Sequence, residues 1–340
     1  MKTFNYKKSF LLESGKLLPG ITVAYHTYGK LNANKDNCIW VCHALTADSD
    51  VAKWWPGTVS TEGFLDPEKY FIVCANILGS CYGTTGPSSL NPATGELWLD
   101  EFPDITIRDM VHAHILLADH LGINKIISVV GSSLGGFQAL EWKLTQPAKI
   151  KSLVLIATGP VATPWAIALD EAQRMAIKAD KTYERKDLND AKKGLAAARA
   201  IAMLSYRGAS GYNLTQQDNS EDNDKIHFMH RAASYQQHQG KKLANRFDVF
   251  SYMTILNAFD SHNITRGRGN CKELLSQIKS PVLTIGITTD ILFPPSEMRS
   301  FSELMPNSFY NEIKSEFGHD GFLVETDKLN NLIKNFLLKI

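Results

Sequence analysis

The sequence has no long hydrophobic run. None approaches the ~18–20 apolar residues that a membrane-spanning helix needs, and the longest candidates, such as Leu153 to Ala157, are strand-sized. The segment Met1 to Pro19 contains lysines but no apolar stretch of signal-peptide length. Both absences predict a cytoplasmic protein. Cysteine is also scarce. Cys38, Cys42, Cys74, Cys81 and Cys271 make five in 340 residues, an odd number with no C-x-x-C pair. That pattern argues against a disulfide framework or a zinc site and predicts buried, reduced thiols. One-sided charge is missing as well. With 36 basic and 35 acidic residues the net charge is +1, which speaks against a nucleic-acid partner and a polybasic membrane anchor. No set of His, Cys, Asp and Glu has metal-ligand spacing, so no resident metal or permanently bound cofactor is expected.

What is there reads as an ordinary globular chain. Hydrophobic residues make up 44% and charged residues 21% of the chain, and 340 residues suit roughly two domains or one large α/β domain with an insertion. Short β-branched runs at Ile39–Cys42, Tyr70–Ala75, Ile126–Val130, Leu153–Ala157 and Val282–Gly286, with a weaker one at Phe309–Ile313, look like strands buried on both faces. Helical patterns at Asp104–Leu121, Gly135–Gln146, Pro295–Leu304 and Asp327–Leu338 alternate with them, which predicts a mostly parallel α/β sheet. Phe10–Leu12 and Ile21–Tyr25 read as an antiparallel pair at its edge. From Thr163 to His262 buried strands disappear. Helical patterns take their place at Ala166–Ala179, Leu188–Leu204 and Leu243–Phe259, with a polar loop at Gln216–Asp224. The division predicted is a catalytic α/β domain from residues 1–162 and 263–340, carrying a helical cap of residues 163–262.

The sharpest motif is Gly131-Ser132-Ser133-Leu134-Gly135-Gly136, a G-x-S-x-G pattern centred on Ser133. The pattern recurs by chance, and a glycine-rich packing turn would also produce it. Its setting between a strand and a helix is the one in which a sharp turn exposes a serine nucleophile. A dinucleotide loop fits less well, because G-x-G-x-x-G is absent. Serine needs a base. Asp290 follows the Val282–Gly286 strand, and His319 follows the Phe309–Ile313 candidate, so both belong to loops at the same sheet edge as Ser133. In a triad of this order His319 takes the serine proton and Asp290 orients the imidazole. Asp320 is a rival orienting acid, but adjacency to His319 makes the geometry awkward. The oxyanion hole is assigned to the backbone N–H groups of Leu134, after the nucleophile, and Leu45, in the loop after Ile39–Cys42. His43 beside it reads as structural. So do His112, His114 and His120 on the Asp104–Leu121 helix, and His227, His230, His238 and His262 in or near the cap.

Taken together, His43-Ala44-Leu45-Thr46, Gly83-Thr84-Thr85-Gly86-Pro87-Ser88-Ser89, Ile107-Arg108-Asp109-Met110, Gln138-Ala139-Leu140-Glu141-Trp142, Ser205-Tyr206-Arg207, Arg266-Gly267-Arg268-Gly269 and Gly318-His319-Asp320 resemble the homoserine O-acetyltransferases of the α/β-hydrolase superfamily. The resemblance runs from about Leu11 to Leu337. It implies an α/β-hydrolase fold with an inserted cap, and transfer of an acetyl group from acetyl-CoA, as co-substrate, to L-homoserine in methionine biosynthesis. The implied route is ping-pong, through an acyl group on Ser133. It further implies that Arg207 grips the substrate carboxylate, that Asp320 holds the ammonium with Tyr235 nearby, and that the cap forms a homodimer. The elbow departs from the usual pattern, with Ser132 and Leu134 in place of Gly and Met. A donor such as succinyl-CoA, an acceptor such as serine, and a plain capped esterase remain open readings at this point.

Overall fold

The computed structural model describes residues 1–219 and 229–340. Ten strands occur among them: β1 (Lys2–Tyr6), β2 (Phe10–Leu11), β3 (Leu17–Leu18), β4 (Ile21–Tyr28), β5 (Cys38–Cys42), β6 (Phe71–Ala75), β7 (Ile126–Ser132), β8 (Ile150–Ile156), β9 (Val282–Ile287) and β10 (Ser308–Ile313). Eight of them form one sheet in the order β1-β4-β6-β5-β7-β8-β9-β10. From β6 to β10 the neighbours run parallel, and β4 is antiparallel to both β6 and β1. The central strands β5, β6 and β9 are buried at every position, as continuous apolar runs covered on both faces must be. Two hydrophobic layers cover the sheet. One contains Trp40, Met110, Phe137, Leu140 and Trp142, and the other Ile39, Trp55, Phe64, Ile285 and Ile333. The α/β-hydrolase architecture expected from the sequence is therefore present.

The helices start where their caps allow. Thr106 accepts from the Asp109 N–H and Asp109 accepts from the Thr106 N–H, a capping box that opens Ile107–His120. Thr163 caps Pro164–Lys178, which begins on proline. Two expectations are corrected. The edge partner of β4 is β1, not Phe10–Leu12, which folds back on Leu17–Leu18 as a separate ribbon. Leu243–Phe259 is not one helix but the end of Arg231–Ala244 and most of Val249–Asp260. The break falls where the Asp248 side chain accepts from the Ser251 N–H and caps a new start.

Between β8 and β9 the described residues form helices and loops with no strand of the main sheet. The two ends of this segment meet at a neck. The Ala162 N–H donates to the His262 carbonyl (3.0 Å), the Ile264 N–H donates to the Pro160 carbonyl (3.2 Å), and Val161 bridges Asn263. His262 stacks on Phe137 at 4.0 Å, which seats the neck on the helix that follows β7. No helix among the described residues is long and apolar enough to cross a membrane. All five cysteines are unpaired. Cys38, Cys42 and Cys74 are buried as expected, whereas Cys81 and Cys271 are half-buried. His227 and part of the Gln216–Asp224 loop lie outside the described residues.

Candidate active site

Parallel strands place their following loops at one edge of the sheet, and the site is built there. At the end of β7 the backbone of Ser133 has φ 54° and ψ −127°, a conformation that costs a non-glycine residue of order 1–3 kcal/mol unless its surroundings impose it. They do impose it. The Ser133 N–H donates to the Ile156 carbonyl (3.0 Å), and its carbonyl accepts from the Gly136 N–H (2.9 Å) and the Thr158 hydroxyl (2.9 Å). The glycines of the motif are there for clearance. A Cβ on Gly131 would lie 2.0 Å from the Gly135 carbonyl oxygen, and one on Gly135 would lie 2.0 Å from that of Cys42. Overpacking against backbone costs 1–3 kcal/mol or more. Gly135→Ala is therefore expected to lower the unfolding free energy by at least about 2 kcal/mol and to remove activity. Denaturant unfolding beside a turnover assay tests both effects, and an unchanged midpoint would refute the close-approach argument.

Ser133 stands at the N-cap of Leu134–Thr145, yet its side chain makes no capping hydrogen bond. The hydroxyl is not spent on holding the helix, and the positive end of the helix dipole lies at it.

His319 and Asp290 are brought together as expected. The imidazole Nδ1 lies 2.7 Å from Asp290 Oδ2, and both side chains are almost fully buried. The other carboxylate oxygen of Asp290 accepts the Leu292 and Phe293 N–H groups at 2.8 and 3.0 Å. Phe293, Phe322 and Tyr206 pack around the imidazole with ring centroids 5.4–5.8 Å away. Asp320 does not orient His319. Its carboxylate turns to Arg207, 3.0 Å from Nε.

His43 braces the loop that carries Leu45. Its Nε2 accepts from the Ile77 N–H (3.2 Å) and its Nδ1 faces the Ala44 carbonyl (2.9 Å). That assigns a neutral ring with the proton on Nδ1, and burial holds the imidazole below the usual histidine range.

Ser133 and His319 open onto a cavity of about 540 Å³. Leu45, Tyr206 and Asp320 share its walls, and Lys53, Arg199, Lys242 and Arg246 supply positive charge. The Arg246 guanidinium is anchored to the Thr46 carbonyl (2.7 Å) and to the Tyr82 hydroxyl. Burial raises the Asp320 carboxyl above its ordinary range even though Arg199, Arg207 and His319 pull the other way. Two assigned substrate residues stand further back. Arg207 is not among the cavity-lining residues and reaches the cavity through Asp320, with its guanidinium 5.7 Å from the Phe317 ring. Tyr235 is likewise outside the lining and packs edge-on against Tyr212 at 5.9 Å. Arg199 was not singled out by sequence. It lies seven residues before Tyr206 on Lys192–Tyr206, hence on the same helical face, and its guanidinium is 5.2 Å from that ring. A lone arginine in Leu195-Ala196-Ala197-Ala198-Arg199-Ala200-Ile201-Ala202 was the available signal.

Residues 38–326 match the α/β hydrolase fold family. A homoserine O-acetyltransferase from Cyclobacterium marinum is 46% identical over 336 residues, covering 99% of this chain and 95% of the relative. The chain belongs to the homoserine O-acetyltransferase family. The crystal structure of homoserine O-acetyltransferase from Staphylococcus aureus superposes with a TM-score of 0.81 at 28% identity, covering 99% of this chain and 94% of that one. Esterase E22 superposes with a TM-score of 0.89 at 24% identity, covering 99% of each chain, a likeness of fold alone. The homoserine O-acetyltransferase family thus shares its backbone with hydrolases, and the chemistry must be read from the side chains.

Proposed function

We propose that this chain moves an acetyl group from acetyl-CoA to the hydroxyl of L-homoserine by a ping-pong route through Ser133. One observation supports an amino-acid acceptor over water. The cavity that holds Ser133 and His319 also holds Asp320, a half-buried carboxylate already paired with Arg207. A small polar alcohol has little apolar area to bury, so its charged ends must supply the binding, and buried charges need partners.

In the first half-reaction the Ser133 hydroxyl attacks the thioester carbonyl as His319 takes its proton. The imidazolium is stabilised by Asp290 across the 2.7 Å contact. The N–H groups of Leu45 and Leu134 receive the oxyanion. The carbon–sulfur bond breaks, and the proton leaves with the CoA thiol. In the second, His319 deprotonates the homoserine hydroxyl, which attacks the acyl-serine, and the proton returns to Ser133. Asp320 holds the substrate ammonium, with Tyr235 behind it. Arg207, which bonds Asp320 through Nε, is assigned to the substrate carboxylate. The basic residues Lys53, Lys242 and Arg246 suit a donor that carries phosphates. We read residues 163–262 as the cap that keeps water from the acyl-serine, and as the face of a homodimer. The reaction serves methionine biosynthesis in the cytoplasm.

The test is to incubate the protein with acetyl-CoA or succinyl-CoA and a panel of hydroxy-amino acids, following CoA release and product mass. O-acetylhomoserine is the expected product. Acetate alone would make the protein a capped esterase.

Arg207→Ala should cut kcat/KM for homoserine by about 2–5 kcal/mol, roughly 30-fold to several thousand-fold, because the partner charge is left unpaired. It should hardly change acylation of Ser133 by acetyl-CoA, which involves no amino acid. Arg207→Lys should rescue only in part, since an ammonium lacks the planar fork. Rapid-quench measurement of each half-reaction decides it. Equal slowing of both would make Arg207 structural, and the homoserine effect would then be sought at Arg199.

A further inference from the structure

Ala157, immediately after β8, has φ 46°, in the left-handed region that alanine disfavours. It is buried, and its N–H donates to the Ile285 carbonyl (2.9 Å). A strained residue held in place by its surroundings points to a function nearby, and the residue that this turn delivers is Thr158. We infer that Thr158 is a positioning residue of the oxyanion hole, which holds the Ser133 carbonyl and thereby aims the Leu134 N–H at the oxygen of the reacting acyl group. This role rests on the proposed acyl-serine route. Thr158 itself is not among the residues lining the cavity of Ser133 and His319, so it acts through the elbow and not on substrate.

The carbonyl of Ser133 and the N–H of Leu134 belong to one peptide unit. That unit is planar and trans, so the two groups point in opposite directions and turn together. Whatever fixes the carbonyl therefore fixes the direction of the donor. The Thr158 hydroxyl donates to this carbonyl at 2.9 Å, and the Gly136 N–H meets it at the same distance. Gly136 belongs to the same turn and moves with it. The bond from the Ser133 N–H to the Ile156 carbonyl holds the preceding peptide unit. Thr158 is thus the tie between this unit and the neighbouring strand. The other donor is held alike. The Leu45 N–H shares its peptide unit with the Ala44 carbonyl, which faces His43 Nδ1 at 2.9 Å. Each donor of the hole is gripped from the far side of its own peptide plane by a buried side chain.

Thr158 is itself fixed. Its N–H donates to the Met298 sulfur at 3.2 Å, and its side chain lies directly over Gly136. A Cβ at Gly136 would be 2.4 Å from the threonine methyl and 2.5 Å from its hydroxyl oxygen, so the bare backbone there is what lets the hydroxyl reach across the first turn of the helix. Such precision has a use, because a donor stabilises the oxyanion only when it is aimed at the position where that oxygen forms. Valine at 158 would keep the branched shape but replace the hydroxyl with a methyl, which cannot approach an oxygen to hydrogen-bond distance. The peptide unit would then lose its tie and tilt away. Serine would keep the tie.

The experiment compares Thr158→Val and Thr158→Ser, both confirmed as folded by thermal melting, with the unaltered protein. Each is acylated in a single turnover, without homoserine, by acetyl-CoA labelled at the carbonyl carbon. The maximal acylation rate of Thr158→Val should fall by roughly 10- to 100-fold, part of the loss that removing an oxyanion donor outright would bring. The half-saturating acetyl-CoA concentration should hardly change, because the contact matters in the transition state. Thr158→Ser should recover most of the rate. The infrared band of the acetyl carbonyl on Ser133 is the readout that a merely structural role would not move. Hydrogen bonds to an ester oxygen lower its stretching frequency, so the band should rise in Thr158→Val and stay in place in Thr158→Ser. A folded valine variant with unchanged rate and band would overturn the assignment. So would a serine variant as slow as valine, or slowed acylation with an unmoved band, either of which would make Thr158 a packing residue of the elbow. Absence of an adduct from the unaltered protein would instead sink the acyl-serine route, and this role with it.

Discussion

Ser133→Ala should lose transfer by a factor on the order of 10⁶, the scale seen when a triad nucleophile is removed. It should also lose the covalent acetyl adduct that acetyl-CoA alone is expected to leave. The substitution is clean because the backbone at 133 is held from outside the side chain. Ile156, Gly136 and Thr158 fix its N–H and carbonyl, and the hydroxyl contributes no cap. Alanine meets the same φ of 54° at a similar steric cost to serine, so the melting temperature should barely move. Mass spectrometry after exposure to acetyl-CoA, with a steady-state assay on the same sample, reads both effects. An adduct that persists in the variant would place the acyl group on another residue.

The second large effect concerns the histidine–aspartate pair. His319→Ala should approach the Ser133→Ala loss, and Asp290→Asn should cost about 10⁴. In the native protein one Asp290 oxygen is occupied by two backbone N–H groups and the other faces Nδ1 of His319. Asparagine can still accept the backbone bonds through its oxygen, which turns its NH₂ towards the imidazole and favours the tautomer that cannot accept the serine proton. The double variant should therefore be little worse than His319→Ala alone, because members of one unit do not act additively. Acylation rates under single-turnover conditions give the comparison. Full additivity would mean that one of the two acts outside the triad.

How much of this was legible in the sequence depended on whether a residue's neighbours in space were also its neighbours in pattern. The continuous runs of β5, β6 and β9 announce strands buried on both faces. Lys2–Tyr6 does not, because an edge strand pairs on one side only and its Lys-Thr-Phe-Asn-Tyr alternates apolar with polar. The apolar period of Leu243–Phe259 continues through Asn245–Asp248, so the break shows only once Asp248 is seen to cap. Ser133, Asp290 and His319 could be placed because each follows a recognisable strand. Arg199 could not, since a basic residue on an alanine-rich helix looks the same whether it meets solvent or a cavity. The turn of Asp320 away from His319 and toward Arg207 is a matter of side-chain direction that chain order does not encode.

The neck at residues 160–162 and 262–264 has a consequence for how such a protein changes over time. Ser133, Asp290 and His319, which would break and make bonds, lie outside the segment between its two crossings. Arg199, Arg207, Tyr235, Lys242 and Arg246, which would help choose donor and acceptor, lie within it, while Asp320 and Lys53 stay with the catalytic part. Much of the recognition is thus carried by one stretch of chain whose ends already sit side by side, joined by backbone hydrogen bonds that depend little on side-chain identity. Such a stretch can be exchanged whole, as a tool bit is changed in a fixed chuck, and a new pair of substrates tried without disturbing the machinery that activates the serine.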